Sequence, residues 1–245
     1  MLAILPLYIY GAGYYNGLSG YTYLILVLPA FILSLIAQAA VKSAYAKMSS
    51  VYAKSGYTGA DAARAVLRHY NINDVRIEQC SGKLSDHYDP RSNVIRLSEG
   101  VFTSTSIAAI GIACHEAGHA AQHAQGYVPI KLRNSVLPIC KIGSYAGIPL
   151  ALIGYMLSFE PLILIGLLLY SAILLFQLIT LPVEFNASRR AMQVIDETGL
   201  LKNEEELRGA KKVLGCAAMT YVASLAVTLA NLLRFIIIFT GRRKK

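Results

Sequence analysis

The chain has 245 residues, 55% of them hydrophobic and only 15% charged, with a mean hydropathy of +0.48. A soluble domain carries about a quarter charged residues, so this composition excludes an ordinary soluble globule and points to a membrane protein. The net charge of +9 gathers between the apolar runs, without a basic, aromatic-interleaved stretch; anionic headgroups explain it, and no nucleic-acid partner is expected.

Residues 1–20 are apolar but hold no basic residue and no small-residue cleavage site. They read as an interfacial lead-in and not as a removable signal peptide. Residues 21–41 are a first apolar run long enough to span a bilayer. Residues 42–100 are rich in charge. Within them Thr58 is a helix N-cap with Asp61 three residues on, which predicts a helix over 58–70. Residues 75–79 and 93–98 alternate apolar and polar side chains and predict two strands, the second offering a free edge to an extended substrate. Residues 81–91, rich in Gly, Asp and Pro, read as a loop between them.

A single helix is predicted over 104–125. Apolar runs follow at 142–159 and 162–181, separated by a reversal at Glu160-Pro161 and closed by Pro182, and these form a membrane hairpin. Residues 183–215 are polar and read as helical in two pieces split near Gly199. A fourth run covers 216–240, and four of the last five residues are basic. The four cysteines form no Cys-x-x-Cys pair, as expected of free thiols in a reducing compartment. Of the 23 basic residues, 12 lie in 42–141 and 6 in 187–212, whereas the turn at Glu160 has none. The positive-inside rule therefore places both polar segments in the cytoplasm. Four full spans then put the basic tail outside, against that rule, unless the last run is shallow.

The chemistry is carried by His115-Glu116-Ala117-Gly118-His119. On a helix, His115 and His119 sit one turn apart on one face, a spacing at which two imidazoles bind one Zn²⁺. Glu116 cannot ligate from its place but can accept a proton from a water beside the metal. A catalytic zinc needs a third protein ligand. Glu184 is the best choice, since the topology puts it on the side of the histidines, whereas Glu160 falls on the other. The competing reading makes Glu184 a helix N-terminal acid favoured by the dipole. His123, a turn further on, is either a partner of the site or a solvated residue. Gln122 and Gln125 stand where a metzincin needs Gly and His, which excludes that class.

The order of these features is specific. It includes the segments Ser85-Asp86-His87-Tyr88-Asp89-Pro90-Arg91, Arg96-Leu97-Ser98-Glu99, Lys131-Leu132-Arg133-Asn134 and Leu181-Pro182-Val183-Glu184-Phe185 around the histidine motif. From about residue 37 through 218 the chain resembles the YugP-like bacterial membrane zinc metallopeptidases (neutral zinc metallopeptidase family 2). More distantly, it is similar to the HtpX-like and CAAX-prenyl-type membrane proteases. The resemblance implies Zn²⁺ held by His115, His119 and Glu184, with Glu116 as general base, and peptide-bond hydrolysis at the bacterial plasma membrane with the active site facing the cytoplasm. Relatives often carry an Asp two or four residues after the ligand Glu; here Asn186 and Ser188 stand there, able to hydrogen-bond but not to add charge.

The expected fold is a mainly α integral membrane protein. It has about four transmembrane helices and a cytoplasmic zincin-like α+β catalytic domain, made of the HExxH helix and a small β-sheet. Five segments follow: 1–41, the N-terminal segment and first span; 42–141, the catalytic region; 142–182, the hairpin; 183–215, the helical region with the third ligand; and 216–245, the last span and tail. The expected partners are a peptide or membrane-protein substrate and the lipid bilayer. His87 and Tyr88 are the candidate stabilisers of the oxyanion, against a reading in which Asp86 and Asp89 merely hold a turn. Two other functions compete. A metal transporter would need further intramembrane ligands, which the runs lack. A catalytically inactive, zinc-stapled membrane adaptor would not need Glu116.

Overall fold

The computed structural model describes residues 21–241. The lead-in assigned to residues 1–20 and the basic tail from residue 242 lie outside the described residues. A π-helical turn, Tyr23–Val27, runs into α1 (Leu28–Ser49). Then come α2 (Gly59–His69), β1 (Arg76–Cys80), β2 (His87–Asp89), β3 (Val94–Ser98), the single turn α3 (Glu99–Phe102) and α4 (Ile107–Ala124). Three long helices complete the chain: α5 (Val128–Met156), α6 (Glu160–Glu197) and α7 (Glu204–Gly241). Among the described residues, Tyr23–Ser49, Val128–Met156, Glu160–Glu197 and Glu204–Phe239 are helices long and apolar enough to cross a membrane.

The local signals work as their chemistry requires. Thr58 accepts from the Asp61 backbone while Asp61 returns a bond to the Thr58 N–H, a complete capping box for α2. Ser106 caps α4 by accepting from the Ala109 N–H. The chain leaves α6 through Gly199, whose φ of 66° is costly for any residue with a Cβ.

Three expectations need correction. First, Pro182 does not end the third run: α6 continues through it for fifteen residues to Glu197. An internal proline removes one backbone bond and costs about 3 kcal/mol. Packing offsets this, because Val183, Ala187, Ala191, Val194 and Ile195 recur at helical spacing and are fully buried. Second, residues 87–89 are a strand and not a loop. Third, the strand at 93–98 has no free edge. The sheet order is β1-β3-β2, with β1 parallel and β2 antiparallel to the central β3. The exposed edges belong to β1 and β2.

The core lies beside the apolar runs, not within them. It joins Val66 of α2, Ile95 and Leu97 of β3, Ile110 and Ala113 of α4, Ala191 and Ile195 of α6, and Leu214 of α7. Alanines are prominent there, and they let helices approach closely. A tight approach inside the histidine motif is at Gly118 of α4. A Cβ there would stand 2.8 Å from the carbonyl oxygen of Ala187 and 3.4 Å from its Cα, both backbone atoms of α6. Gly118→Ala is expected to push α4 and α6 apart and to destabilise the protein by about 1–3 kcal/mol. A lowered thermal midpoint of the detergent-solubilised protein checks this, and an unchanged midpoint contradicts the close contact.

Candidate metal centre

Helix α4 presents His115 and His119 on one face, with ring centroids 4.7 Å apart. Helix α6 brings Glu184 against both. Its Oε2 lies 3.3 Å from His115 Nε2 and 3.7 Å from His119 Nε2. The three ligand atoms lie within 4.8 Å of one another. Donors about 2.0–2.1 Å from one tetrahedral zinc are separated by about 3.3 Å, so a His₂Glu set of this spread fits that ion. Glu184 is 4% exposed and His119 is 9% exposed. Burial lowers the proton affinity of His119, but Glu184, helped by Glu116 and Gln122, more than reverses this and holds it above the ordinary histidine value.

Position bears on the alternatives to this set. Glu184 stands in the middle of α6, so the dipole of a helix N-terminus cannot be what stabilises it. Glu160 begins the same helix, 24 residues and roughly 36 Å away along the axis, and cannot join the histidines.

Each imidazole is held from behind. The amide nitrogen of Gln122 donates to the Val183 carbonyl at 2.8 Å and to Asn186 Oδ1 at 3.0 Å. Its oxygen is thereby turned to His119 Nδ1, 3.0 Å away. That oxygen can only accept, so Nδ1 is the donor and Nε2 is the nitrogen that faces Glu184. Ser188 Oγ lies 3.1 Å from His115 Nδ1. Asn186 also accepts from Arg190 Nε at 2.8 Å, and Arg190 reaches Gln125, the residue that caps the end of α4, at 2.6 Å. Asn186 and Ser188 thus work as hydrogen-bonding groups. Gln122, read in the sequence only as the residue that excludes a metzincin, is fully buried and ties the motif helix to α6.

The flanking candidates fall in different places. Glu116 Oε2 accepts the backbone N–H of Tyr88 at 3.1 Å. The Tyr88 hydroxyl donates to Asn93 at 2.8 Å and lies 3.4 Å from His123 Nδ1. Burial, with Asp74 and Asp89 nearby, pushes its phenol up to about 12. His87 is exposed, and its Nδ1 meets the Ser85 carbonyl at 2.7 Å. His123 is exposed at the end of α4. Asp86 holds the Ser98 backbone N–H at 2.7 Å, and Asp89 holds Arg91 and Ser92. Cys114 is buried and faces away from the site, and burial pushes its thiol up, which makes it inert.

Two groups near the triad are not singled out in the sequence, although Arg133 lies in the segment Lys131–Asn134. Arg133, near the start of α5, places Nη1 3.7 Å from Glu184 Oε1. Tyr221 of α7 faces the same carboxylate. A cavity of about 210 Å³ opens against His115, Glu116 and Glu184, and Tyr221 lines it; from the β1–β2 segment Leu84 and Asp86 line it, rather than His87 or Tyr88.

Comparison with known proteins agrees with this geometry. Residues 23–240 match the model of a family described as "Putative neutral zinc metallopeptidase". The chain is 47% identical over 221 residues to "Putative membrane protease YugP" of Bacillus subtilis (strain 168), covering 90% of this chain and 98% of that one. No solved structure matches. With a family match across nearly the whole described length and a relative this similar, the chain belongs to the YugP-like neutral zinc metallopeptidase family.

Proposed function

We propose that the protein is a membrane-embedded, zinc-dependent endopeptidase whose site faces the cytoplasm, with the α2–α4 and β-sheet region serving as a zincin-like catalytic domain. The observation that carries this reading is the meeting of His115, His119 and Glu184 from two helices, with Glu116 beside them on the cavity wall. The donor set holds two neutral imidazoles and one carboxylate, the combination used by catalytic zinc in peptidases. When bound, zinc supplies Lewis acidity that brings water toward ionisation near neutral pH and polarises a peptide carbonyl.

The protein's own groups then act as follows. Glu116 accepts a proton as water adds to the carbonyl carbon, and returns it to the leaving nitrogen as the C–N bond breaks. The Tyr88 N–H fixes one oxygen of that carboxylate and so orients the other. Gln122 and Ser188 hold the imidazoles with Nε2 turned toward Glu184, where the three groups would hold the metal. Arg133 and Tyr221 border the site with donors for a developing oxyanion, in place of His87 and the Tyr88 hydroxyl, which are engaged away from the cavity. The four apolar helices hold this machinery at the bilayer, with a peptide or membrane protein as substrate.

Glu116→Gln is expected to abolish peptide cleavage while the purified protein keeps one equivalent of zinc, measured by atomic absorption. Cleavage by that variant at the wild-type rate refutes the assignment, and zinc uptake into vesicles by the wild type favours a transporter instead. Gln122→Ala and Ser188→Ala are each expected to weaken zinc binding by about 10–100-fold, read by competition with a chromogenic chelator. Glu184→Ala is expected to lose zinc outright, and a variant that still bound it as tightly would remove Glu184 from the ligand set.

A further inference from the structure

The cavity beside the triad has two unlike sides. One carries His115, Glu116 and Glu184. The other is built mainly from Val41 and Tyr45 of α1, Ile112 of α4, and Val213, Leu214 and Ala217 of α7, with Lys42 and Asp86 as the further charged groups of the lining. An apolar wall this close to catalytic groups has an obvious occupant. When a peptide carbonyl is held at the triad, the side chain next to the bond being cut must lie against whatever surrounds it. Here that surrounding is mostly aliphatic and aromatic. A charged side chain lodged against those apolar groups would lose its hydration.

Size argues in the same direction. An apolar cavity of about 150 Å³ in another protein holds benzene, so the roughly 210 Å³ here admits a leucine or phenylalanine side chain. Location adds a second constraint. On α1 the wall lies where the first apolar run gives way to Lys42, and on α7 it lies where the last run begins at Cys216. The cavity therefore sits at the boundary of two helices apolar enough to cross a membrane.

We infer that this wall is a specificity pocket for a large apolar side chain adjoining the scissile bond, so that the substrate is a peptide segment presented at the bilayer surface and cut beside residues of the leucine or phenylalanine class. The inference rests on the peptidase reading above. The test uses the full-length, zinc-loaded protein in micelles and a set of quenched peptides that differ at one position, Ala, Leu, Phe, Asp or Lys, with cleavage sites mapped by mass spectrometry. Cleavage beside Leu or Phe is expected to exceed cleavage beside Ala by at least about 10-fold in kcat/KM, the discrimination a hydrophobic pocket gives for a methylene or more. Ala217→Leu, which fills the wall, is expected to move the preference toward Ala, whereas Ala217→Gly, which widens it, is expected to favour Phe further. A preference that is the same in all three proteins, or one for Asp or Lys, overturns the pocket and leaves the peptidase reading standing. Absence of any cleavage sinks the peptidase reading, and the pocket is then judged by binding. A peptide carrying a benzophenone side chain, irradiated on the Glu116→Gln protein, supports the pocket if it labels the α1 and α7 wall and overturns it if it labels elsewhere.

Discussion

Glu184 brings a carboxylate into the protein interior, and an uncompensated buried charge costs several kcal/mol. His115 and His119 on α4 and Arg133 on α5 surround it. For these groups to meet, α4 and α6 must run almost in backbone contact. That closeness explains the glycine inside the histidine motif: Gly118 faces the Ala187 carbonyl at a distance that admits no side chain. It also explains why the flanking positions on both helices are alanines, since Ala113, Ala117, Ala121, Ala187 and Ala191 are all fully buried.

Helix α6 makes the same contact possible from the other direction. One continuous helix carries the third apolar run at its start, Glu184 in its middle and the core residues Val194 and Ile195 near its end. A rigid element of this kind fixes the carboxylate relative both to the spanning segment and to the sheet-bearing region. A break at Pro182 would have left Glu184 on a new helix whose direction was free to vary. The fold accepts a proline inside the helix because one face of the fifteen further residues, with Val183, Ala187, Ala191, Val194 and Ile195, is buried.

How much of this was legible in the sequence follows from the range of each signal. The histidine pair and Glu116 are a local pattern, and helical geometry alone puts the two imidazoles on one face. The Thr58 cap, the four apolar runs and the division near Gly199 are equally local. Glu184 could be singled out by topology, although its place mid-helix could not. A proline at the end of an apolar run looks like a terminus, and only tertiary packing shows otherwise. Strand β2 escaped notice because three residues, His87 to Asp89, are too short for an alternating pattern, and its pairing to β3 is non-local information. Arg133 and Tyr221 reach Glu184 from separate helices, so no spacing in the chain marks them. Gln122 had a signal, one helical turn beyond His119, but its significance depends on Val183 and Asn186, 61 and 64 residues away.

The chemistry of Gln122 explains why an amide stands behind His119 where a carboxylate would also orient an imidazole. The residue must satisfy two demands at once. It must accept from His119 Nδ1 and donate to the Val183 carbonyl, which has no proton to give. A carboxylate meets the first demand and repels the carbonyl in the second. It would also add a third negative charge to a buried site that already holds Glu184 and Glu116, drawing protons onto the histidines and away from metal binding. Ser188 solves the same problem at His115 with a neutral hydroxyl. With neutral groups behind both imidazoles, the negative charge of the site is confined to two carboxylates, Glu184 against the histidines and Glu116 on the cavity wall.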